Sequence, residues 1–285
     1  MTDAIQNAKR IAFQGEPGAY ANLAAQQAVP KAQAMPQPSF EAAVEAVRSG
    51  DCDLCIIPVE NSLIGRIADI HHLLPDSGLH IVGEHFLPIR HQLLGLKGAT
   101  LEGVTDVFSQ LPALAQCRTI IRERKLKEHH WYDTAGSAKH VAALKDPQCA
   151  AIASHLAGEI YGLQVLAADV EDEHHNATRF LIMARAAQLP KNEGKVLTTL
   201  IFQVKNAPAS LYKAIGCFAT AGINITKLES YQLGGSFNAT QFYADIQGHP
   251  DAPNVHQALE ELRFQTAKMT VMGVYPASPF REDMP

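Results

Sequence analysis

The chain has 285 residues, 47% hydrophobic and 19% charged, with a formal net charge of -5. That balance excludes wholesale nucleic-acid binding, which needs a strong basic field, but leaves a small organic anion open, because a local cluster of donors decides such binding. The length suits about two domains. No apolar run is long enough to span a bilayer, the polar N-terminus lacks a signal-peptide core, and five cysteines fit reduced thiols, so the cytoplasm is the expected compartment.

In chain order, residues 10–14 read as a short strand, 15–18 as a turn and 19–28, rich in alanine, as a helix. Ser39 is a good N-cap for an amphipathic helix over 39–47 that Gly50 closes, and 54–58 is a buried strand. Strand, helix, helix, strand is the beginning of an α/β layer. Residues 79–82 and 92–96 read as strands, 112–124 as one helix with Leu114, Cys117, Ile120 and Ile121 on a common face, and 137–144 as another helix. A short apolar strand over 150–153 precedes a helix over 155–161. The segment 187–194, polar with Pro190 and Gly194, reads as a linker. Beyond it come a strand (198–204), a helix (210–221, ending at Gly222), two strands (223–229 and 241–247), a helix (255–262) and a last strand (269–274). The order β-α-β-β-α-β is the ferredoxin-like motif.

The richest stretch is His-Asn-Ala-Thr-Arg-Phe-Leu-Ile-Met at 175–183. Thr178 can donate and accept a hydrogen bond, Arg179 is always charged, and the apolar residues 181–183 predict a buried strand that holds the pair rigidly. Such a pair suits a small organic anion whose hydroxyl must leave. Pro-Val-Glu-Asn-Ser at 58–62 follows a buried strand, at the end where α/β proteins bind ligands. Asn61 and Ser62 can supply neutral donors and Glu60 can orient a neighbour, or one of the first two simply caps a helix. Asp-Thr-Ala-Gly-Ser-Ala at 133–138 either holds a carboxylate through Thr134 and the following amides or is only a cap. Gly-Glu-Pro-Gly-Ala-Tyr at 15–20 matches no nucleotide loop; it is a turn that brings the chain close to a cleft. Cys52 and Cys55 have C-x-x-C spacing without a second pair, which predicts inert packing thiols. The histidine doublets at 71–72, 129–130 and 174–175 read as solvent-facing, with His174 or His175 near the mouth of a site.

Together these stretches resemble prephenate dehydratase. Tyr161, Leu163, Leu166, Asp172, Thr178, Arg179, Phe180, Leu181 and Met183 fall on that family's spacing, and the stretches at 15–20, 58–62, 91–94 and 114–117 match its other motifs in order. The resemblance implies a catalytic domain over 1–187 made of two α/β lobes similar to those of periplasmic binding proteins, the second lobe at about 84–166. It further implies a linker at 188–195, an ACT regulatory domain over 196–276, and a tail from 277 to 285. It implies decarboxylating dehydration of prephenate to phenylpyruvate, without redox cofactor or metal, with Thr178 as the catalytic threonine. Tyr20, Glu60, Asn61, Ser62, Thr134, Arg179 and Phe180 would contact substrate, Arg179 as a carboxylate clamp or else as a structural ion pair. The effector L-phenylalanine would lie at Ala209, Ser210, Leu211, Asn224, Glu229 and Ser230, in a homodimer or homotetramer, with neither nucleic acid nor membrane as a partner.

Two departures stand out. Where the family has Gly-Ala-Leu this chain has Ala209, Ser210 and Leu211, and where it has Glu-Ser-Arg-Pro this chain keeps Glu229 and Ser230 but follows them with Tyr231 and Gln232. The loop at 133–138 with Ala153 and 159–162 also resembles arogenate dehydratases, the alternative enzyme. A two-lobed solute-binding or amino-acid-sensing protein is the alternative that is not an enzyme.

Overall fold

A computed structural model describes residues 2–232 and 239–282. In chain order the elements are α1 (Asp3–Asn7), β1 (Arg10–Gln14), α2 (Tyr20–Ala28), β2 (Gln33–Gln37), α3 (Phe40–Ser49), β3 (Leu54–Asn61), β4 (Gly65–Arg66), α4 (Ala68–Leu73), β5 (His80–Pro88) and β6 (Gln92–Gly95). There follow β7 (Asp106–Ser109), α5 (Leu111–Gln116), α6 (Arg118–Glu123), β8 (Lys127–His130), α7 (Thr134–Leu144), β9 (Cys149–Ala153), α8 (His155–Tyr161), β10 (Gln164–Ala167) and β11 (Ala177–Ala184). The C-terminal part adds β12 (Val196–Gln203), α9 (Ser210–Thr220), β13 (Ile225–Gln232), β14 (Ala239–Gln247), α10 (Pro253–Gln265) and β15 (Lys268–Pro276). The chain forms two compact units, one made of Lys9–Ile67 and Phe86–Phe180, the other of Met1–Ala8, Ala68–His85 and Leu181–Pro285.

The first unit holds two sheets, and the fold is the expected two-lobed α/β type. In one sheet β1 runs parallel between β2 and β3, and β11 lies on the far side of β3. The other has the order β10-β6-β9-β7-β8. Its strand β9, Cys-Ala-Ala-Ile-Ala, is buried throughout and divides its side chains by the two-residue period of a strand. Ala150 and Ile152 join a cluster with Leu114, Cys117 and Ile121, while Cys149, Ala151 and Ala153 join Ala135, Ala138, Val141 and Ala157 of α7 and α8. Ser39 caps α3 by accepting from Ala42 N–H, and Gly50 ends that helix with φ of 93°, as its sequence predicts.

Three differences from the sequence reading have clear causes. The helix expected over 112–124 is two helices, broken at Cys117. The break is fixed from a distance: the Asp172 carboxylate accepts from Arg118 N–H at 2.9 Å and Thr119 N–H at 3.0 Å, and so caps α6. Strands β2, β8 and β10 lie at sheet edges, where β8 is Lys-Glu-His-His and β2 contains Pro36, which a central strand would refuse, while β10 is only the four residues Gln-Val-Leu-Ala. The helix expected from 137 starts at Thr134, one turn earlier, because Asp133 is its N-cap.

In the second unit β12, α9, β13, β14, α10 and β15 realise the predicted β-α-β-β-α-β order, with strand order β13-β14-β12-β15. Leu200, Phe202, Phe218, Phe242, Ile246 and Leu262 form its core between helices and sheet. β15 also pairs in parallel with β5 at Gly273 and Ile81, where any side chain at 273 would strike the Ile81 backbone. Past β15, Arg281 grips the buried Glu84 carboxylate through two bonds of 2.7 and 2.8 Å.

Candidate active site

β3 ends in Glu60 and Asn61, and β11 opens with Ala177, Thr178, Arg179 and Phe180. The two ends are stitched together. Ser62 N–H donates to Ala177 O, Ala177 N–H to Ser62 Oγ, and Ser62 O–H to His175 O, each at 2.9 Å. Successive side chains leave opposite faces of a strand, so neighbours in sequence are parted here. Asn61 and Thr178 meet on one face, with Asn61 Nδ2 donating to Thr178 Oγ1 at 3.0 Å. Glu60 and Arg179 meet on the other as an ion pair of 2.9 Å.

Asn61 is held in one orientation. Its Oδ1 accepts from Leu63 N–H and Ile64 N–H, both at 3.0 Å, closing a turn behind the strand. Its Nδ2 then faces Asn176 Oδ1 at 2.7 Å as well as Thr178. From Asn176 a line of buried polar groups continues. Asn176 Nδ2 donates to Gln116 Oε1 at 3.1 Å, the same oxygen lies 3.0 Å from His91 Nε2, and His91 Nδ1 lies 2.7 Å from Tyr20 Oη. Glu171, fully buried, anchors this end by accepting from His91 N–H at 2.8 Å and from Arg90 at 2.9 Å. Burial pushes the His91 imidazole down, against the opposing pull of Gln116 and Glu171, and holds the Tyr20 hydroxyl well above its usual range.

Two grooves flank this core. One, of about 600 Å³, is lined by Leu63, Ile64, Leu111, Pro112, Gln116 and Asp172. The other, of about 450 Å³, lies at the carboxyl ends of β1 and β2 and is lined by Gly15, Glu16, Pro17, Tyr132 and Asp133. Thr134 is buried as the first residue of α7, beside Asp133, whose side chain accepts from Gly136 N–H. Burial and the nearby Glu16 carboxylate raise Asp133. The turn at 15–18 is fastened to the second sheet's helices: Ser154 O–H donates to Gly18 O at 2.6 Å and Tyr161 O–H to Pro17 O at 2.9 Å. Gly18, with φ of 92°, comes so close to Ala157 that a Cβ would sit 2.7 Å from its Cα.

The structure thus brings Asn61, Ser62 and Thr178 together, with Tyr20 joined to them through three intervening side chains. Arg179 is 1% exposed and paired with Glu60 at 2.9 Å, on the strand face opposite Thr178. Phe180 is 2% exposed and belongs to the core. The Tyr20 hydroxyl is engaged by His91 and by Arg90 O at 3.0 Å. Sequence reasoning assigned no role to His91, Gln116 or Asn176. The signal for Asn176 was its place two residues before Thr178, the spacing of a shared face; His91 and Gln116 lay in motif stretches without local cause. Cys52 and Cys55 are buried free thiols whose acidity burial suppresses, as expected. Among the histidine doublets His129 is a correction: it bonds Asp106 at 2.6 Å and stacks on Phe108. His130, His174 and His175 are exposed, as is His72, while the side chain of His71 lies outside the described residues. Among the described residues no cluster of His, Cys, Asp or Glu could hold a metal ion, and no helix is long and apolar enough to cross a membrane.

The family model of prephenate dehydratase matches residues 11–188, a span that contains every residue of this site. The chain belongs to the prephenate dehydratase family. It is 49% identical over 272 residues to a bifunctional N-acyl-homoserine lactone acylase/prephenate dehydratase of Komagataeibacter europaeus, covering 95% of this chain and 97% of that protein. It is 36% identical over 287 residues to the chloroplastic arogenate dehydratase/prephenate dehydratase 2 of Arabidopsis thaliana, covering 97% and 75%. Among solved structures, prephenate dehydratase in complex with L-Phe from Arthrobacter aurescens is 27% identical with a TM-score of 0.86, covering 97% of this chain and 91% of that one. The chain is therefore a hydro-lyase of the prephenate and arogenate dehydratase class, an enzyme of phenylalanine biosynthesis.

Proposed function

We propose that the chain is a prephenate dehydratase with Thr178 at its catalytic centre. Prephenate takes up a proton and yields phenylpyruvate, carbon dioxide and water; the ring C–O and C–COO⁻ bonds break as the ring becomes aromatic. The difficulty lies in the departing hydroxide, which must be protonated or strongly hydrogen-bonded. The observation that carries this reading is the bond from Asn61 Nδ2 to Thr178 Oγ1. An amide nitrogen offers no lone pair, so Thr178 accepts from Asn61 and its own hydrogen is left to donate elsewhere. A threonine hydroxyl is a weak acid, so its role is that of a positioned donor that hydrogen-bonds or relays a proton to the leaving group. Asn61 and Ser62 spend their side-chain hydrogens inside the site, on Thr178, Asn176 and His175 O, and so hold the threonine in place, while Thr134 adds a neutral hydroxyl. With Arg179 paired to Glu60, its charge is kept from the carboxylate that leaves as carbon dioxide, whose loss a gripping cation would slow.

Competition between prephenate and arogenate, read as the ratio of kcat/KM, tests the assignment. Phenylpyruvate, followed by its ultraviolet absorbance in alkali, should form faster from prephenate than phenylalanine forms from arogenate. The reverse order assigns the arogenate alternative, and neither product overturns the reading. The Komagataeibacter relative's name favours a second activity, hydrolysis of N-acyl homoserine lactones, for which the groove of about 600 Å³ has an apolar wall of Leu63, Ile64, Leu111, Pro112 and Ala115. Absence of acyl-chain release by the same preparation removes it.

We propose that residues 196–276 are an ACT domain that binds L-phenylalanine near Ala209, Ser210, Leu211, Asn224, Glu229 and Ser230, within a homodimer or homotetramer. The β-α-β-β-α-β order and the Arthrobacter relative solved with L-Phe support this. Calorimetric titration with L-phenylalanine should give heat and an accompanying loss of activity; neither effect would reject the effector.

A further inference from the structure

We propose that His91 is a positioning residue for the dehydration, acting through Gln116, Asn176 and Asn61 to keep Thr178 a donor. This rests on the catalytic reading of Thr178.

The argument is one of hydrogen-bond polarity. Backbone N–H groups only donate, so the Asn61 atom facing Leu63 N and Ile64 N is its oxygen. Its NH₂ end then meets Thr178 Oγ1 and Asn176, which must present its own oxygen. The NH₂ of Asn176 in turn faces Gln116 and requires an oxygen there. That Gln116 oxygen lies 3.0 Å from His91 Nε2 and can only accept, so Nε2 carries a hydrogen. In the neutral ring Nδ1 is then bare and accepts at 2.7 Å from the Tyr20 hydroxyl, whose single hydrogen is shared with Arg90 O at 3.0 Å.

Two donors, His91 and Asn176, therefore converge on one oxygen. Without His91 only one restrains the Gln116 amide. A reversed Gln116 would turn Asn176 and set its NH₂ against that of Asn61, loosening the group that orients Thr178. Amides do not pass protons readily, so the line orients and does not relay. Its members come from separate segments: α2 supplies Tyr20, the stretch after β5 His91, the end of α5 Gln116, the approach to β11 Asn176 and the end of β3 Asn61. Tyr20 accordingly serves through His91, since its hydroxyl is engaged by that ring and by Arg90 O. Protonation of His91 would alter only the Tyr20 end, because Nε2 keeps its hydrogen in both states. The charged groups beside it, Glu171 and Arg90, are paired with each other.

The test uses three replacements at one position in the full chain. Gln places a donor near the old Nε2, Asn reaches only the place of Nδ1, and Ala supplies neither. We expect His91→Ala and His91→Asn to lower kcat ~10- to 100-fold with little change in KM, and His91→Gln to recover most of that loss. Equal losses in the Gln and Asn variants, or parental turnover in the Ala variant, overturn the proposal. Nitrogen NMR of the ring-labelled parent protein gives a readout independent of activity and of variant folding. The neutral ring must carry its proton on Nε2, and a ring protonated on Nδ1 overturns the polarity argument. If the parent turns over neither prephenate nor arogenate, the catalytic reading fails while the tautomer result stands on its own.

Discussion

The two faces of the strand pair β3 and β11 solve different problems with residues adjacent in sequence. On one face Asn61 and Thr178 begin a line of neutral groups, each with its orientation dictated by the next. On the other Glu60 and Arg179 place a full charge pair in a site where the guanidinium is 1% exposed. Neutral donors can be aimed at a leaving group without holding the departing carboxylate. A buried guanidinium is costly to desolvate and demands its partner at all times. On the proposed reading the first face serves the chemistry and the second holds two strand ends in register.

Two substitutions, each read by stability and by turnover, test the division between the faces. Glu60→Ala removes the carboxylate paired with Arg179 and should cost about 3 kcal/mol of stability, seen as a lower urea midpoint at unchanged slope, with kcat of the folded fraction nearly intact. Thr178→Val swaps a hydroxyl for a methyl of similar size. It should leave the midpoint within about 1 kcal/mol and lower kcat at least ~100-fold. If instead Glu60→Ala abolished turnover in fully folded protein, the charged face would belong to the chemistry.

The sequence shows how far such a division can be foreseen. Interior strands were legible where burial on both faces writes a continuous apolar run, as in Ala-Ala-Ile-Ala over 150–153, and missed where it does not, as in β7, Asp-Val-Phe-Ser. Edge strands β2 and β8 were not, since an edge tolerates polar residues and even Pro36, and β10 was missed as a run of only four residues. The break at Cys117 was invisible because Asp172, far along the chain, caps α6. At the site, Asn61 and Thr178 were legible from motif and strand end. The parting of Thr178 from Arg179 follows from strand alternation once β11 is seen to begin at Ala177, before the pair. The partnership of His91 with Gln116 has no local signature, since its members are 25 residues apart and meet only in the fold.

The neutral face also carries a pH dependence. Burial lowers His91, and also His85, from the ordinary value of 6.5. Below that value the unfolded chain binds protons that the folded chain refuses, so folding stability must fall as pH drops through 6.5 toward the depressed folded values. Urea midpoints at neutral and mildly acidic pH should show the loss, and His91→Gln should make it shallower. A loss of the same size in that variant would assign the acid sensitivity to other groups.

The smallest expected effect concerns the C-terminal unit, where the chain departs from its family's effector motif. Ala209, standing where the resemblance calls for glycine, precedes α9 with φ of 63° and ψ of 7°. This is the left-handed region, which an alanine occupies at a cost of roughly 1 kcal/mol because its Cβ crowds the following carbonyl. No side chain caps α9, so nothing local offsets that cost. Ala209→Gly relieves the clash but gives the unfolded chain more conformational freedom, a counter-effect of about 0.4–1 kcal/mol. The net gain should therefore be small, within about 1 kcal/mol, and seen as a slight rise in the urea midpoint. The turn would then be free to approach an amino-acid ligand without a methyl group in the way. If this loop receives L-phenylalanine, the glycine variant should bind it more tightly than the parent. A rise in stability with unchanged L-phenylalanine titration would separate the two effects and leave Ala209 as a strained residue outside the effector site.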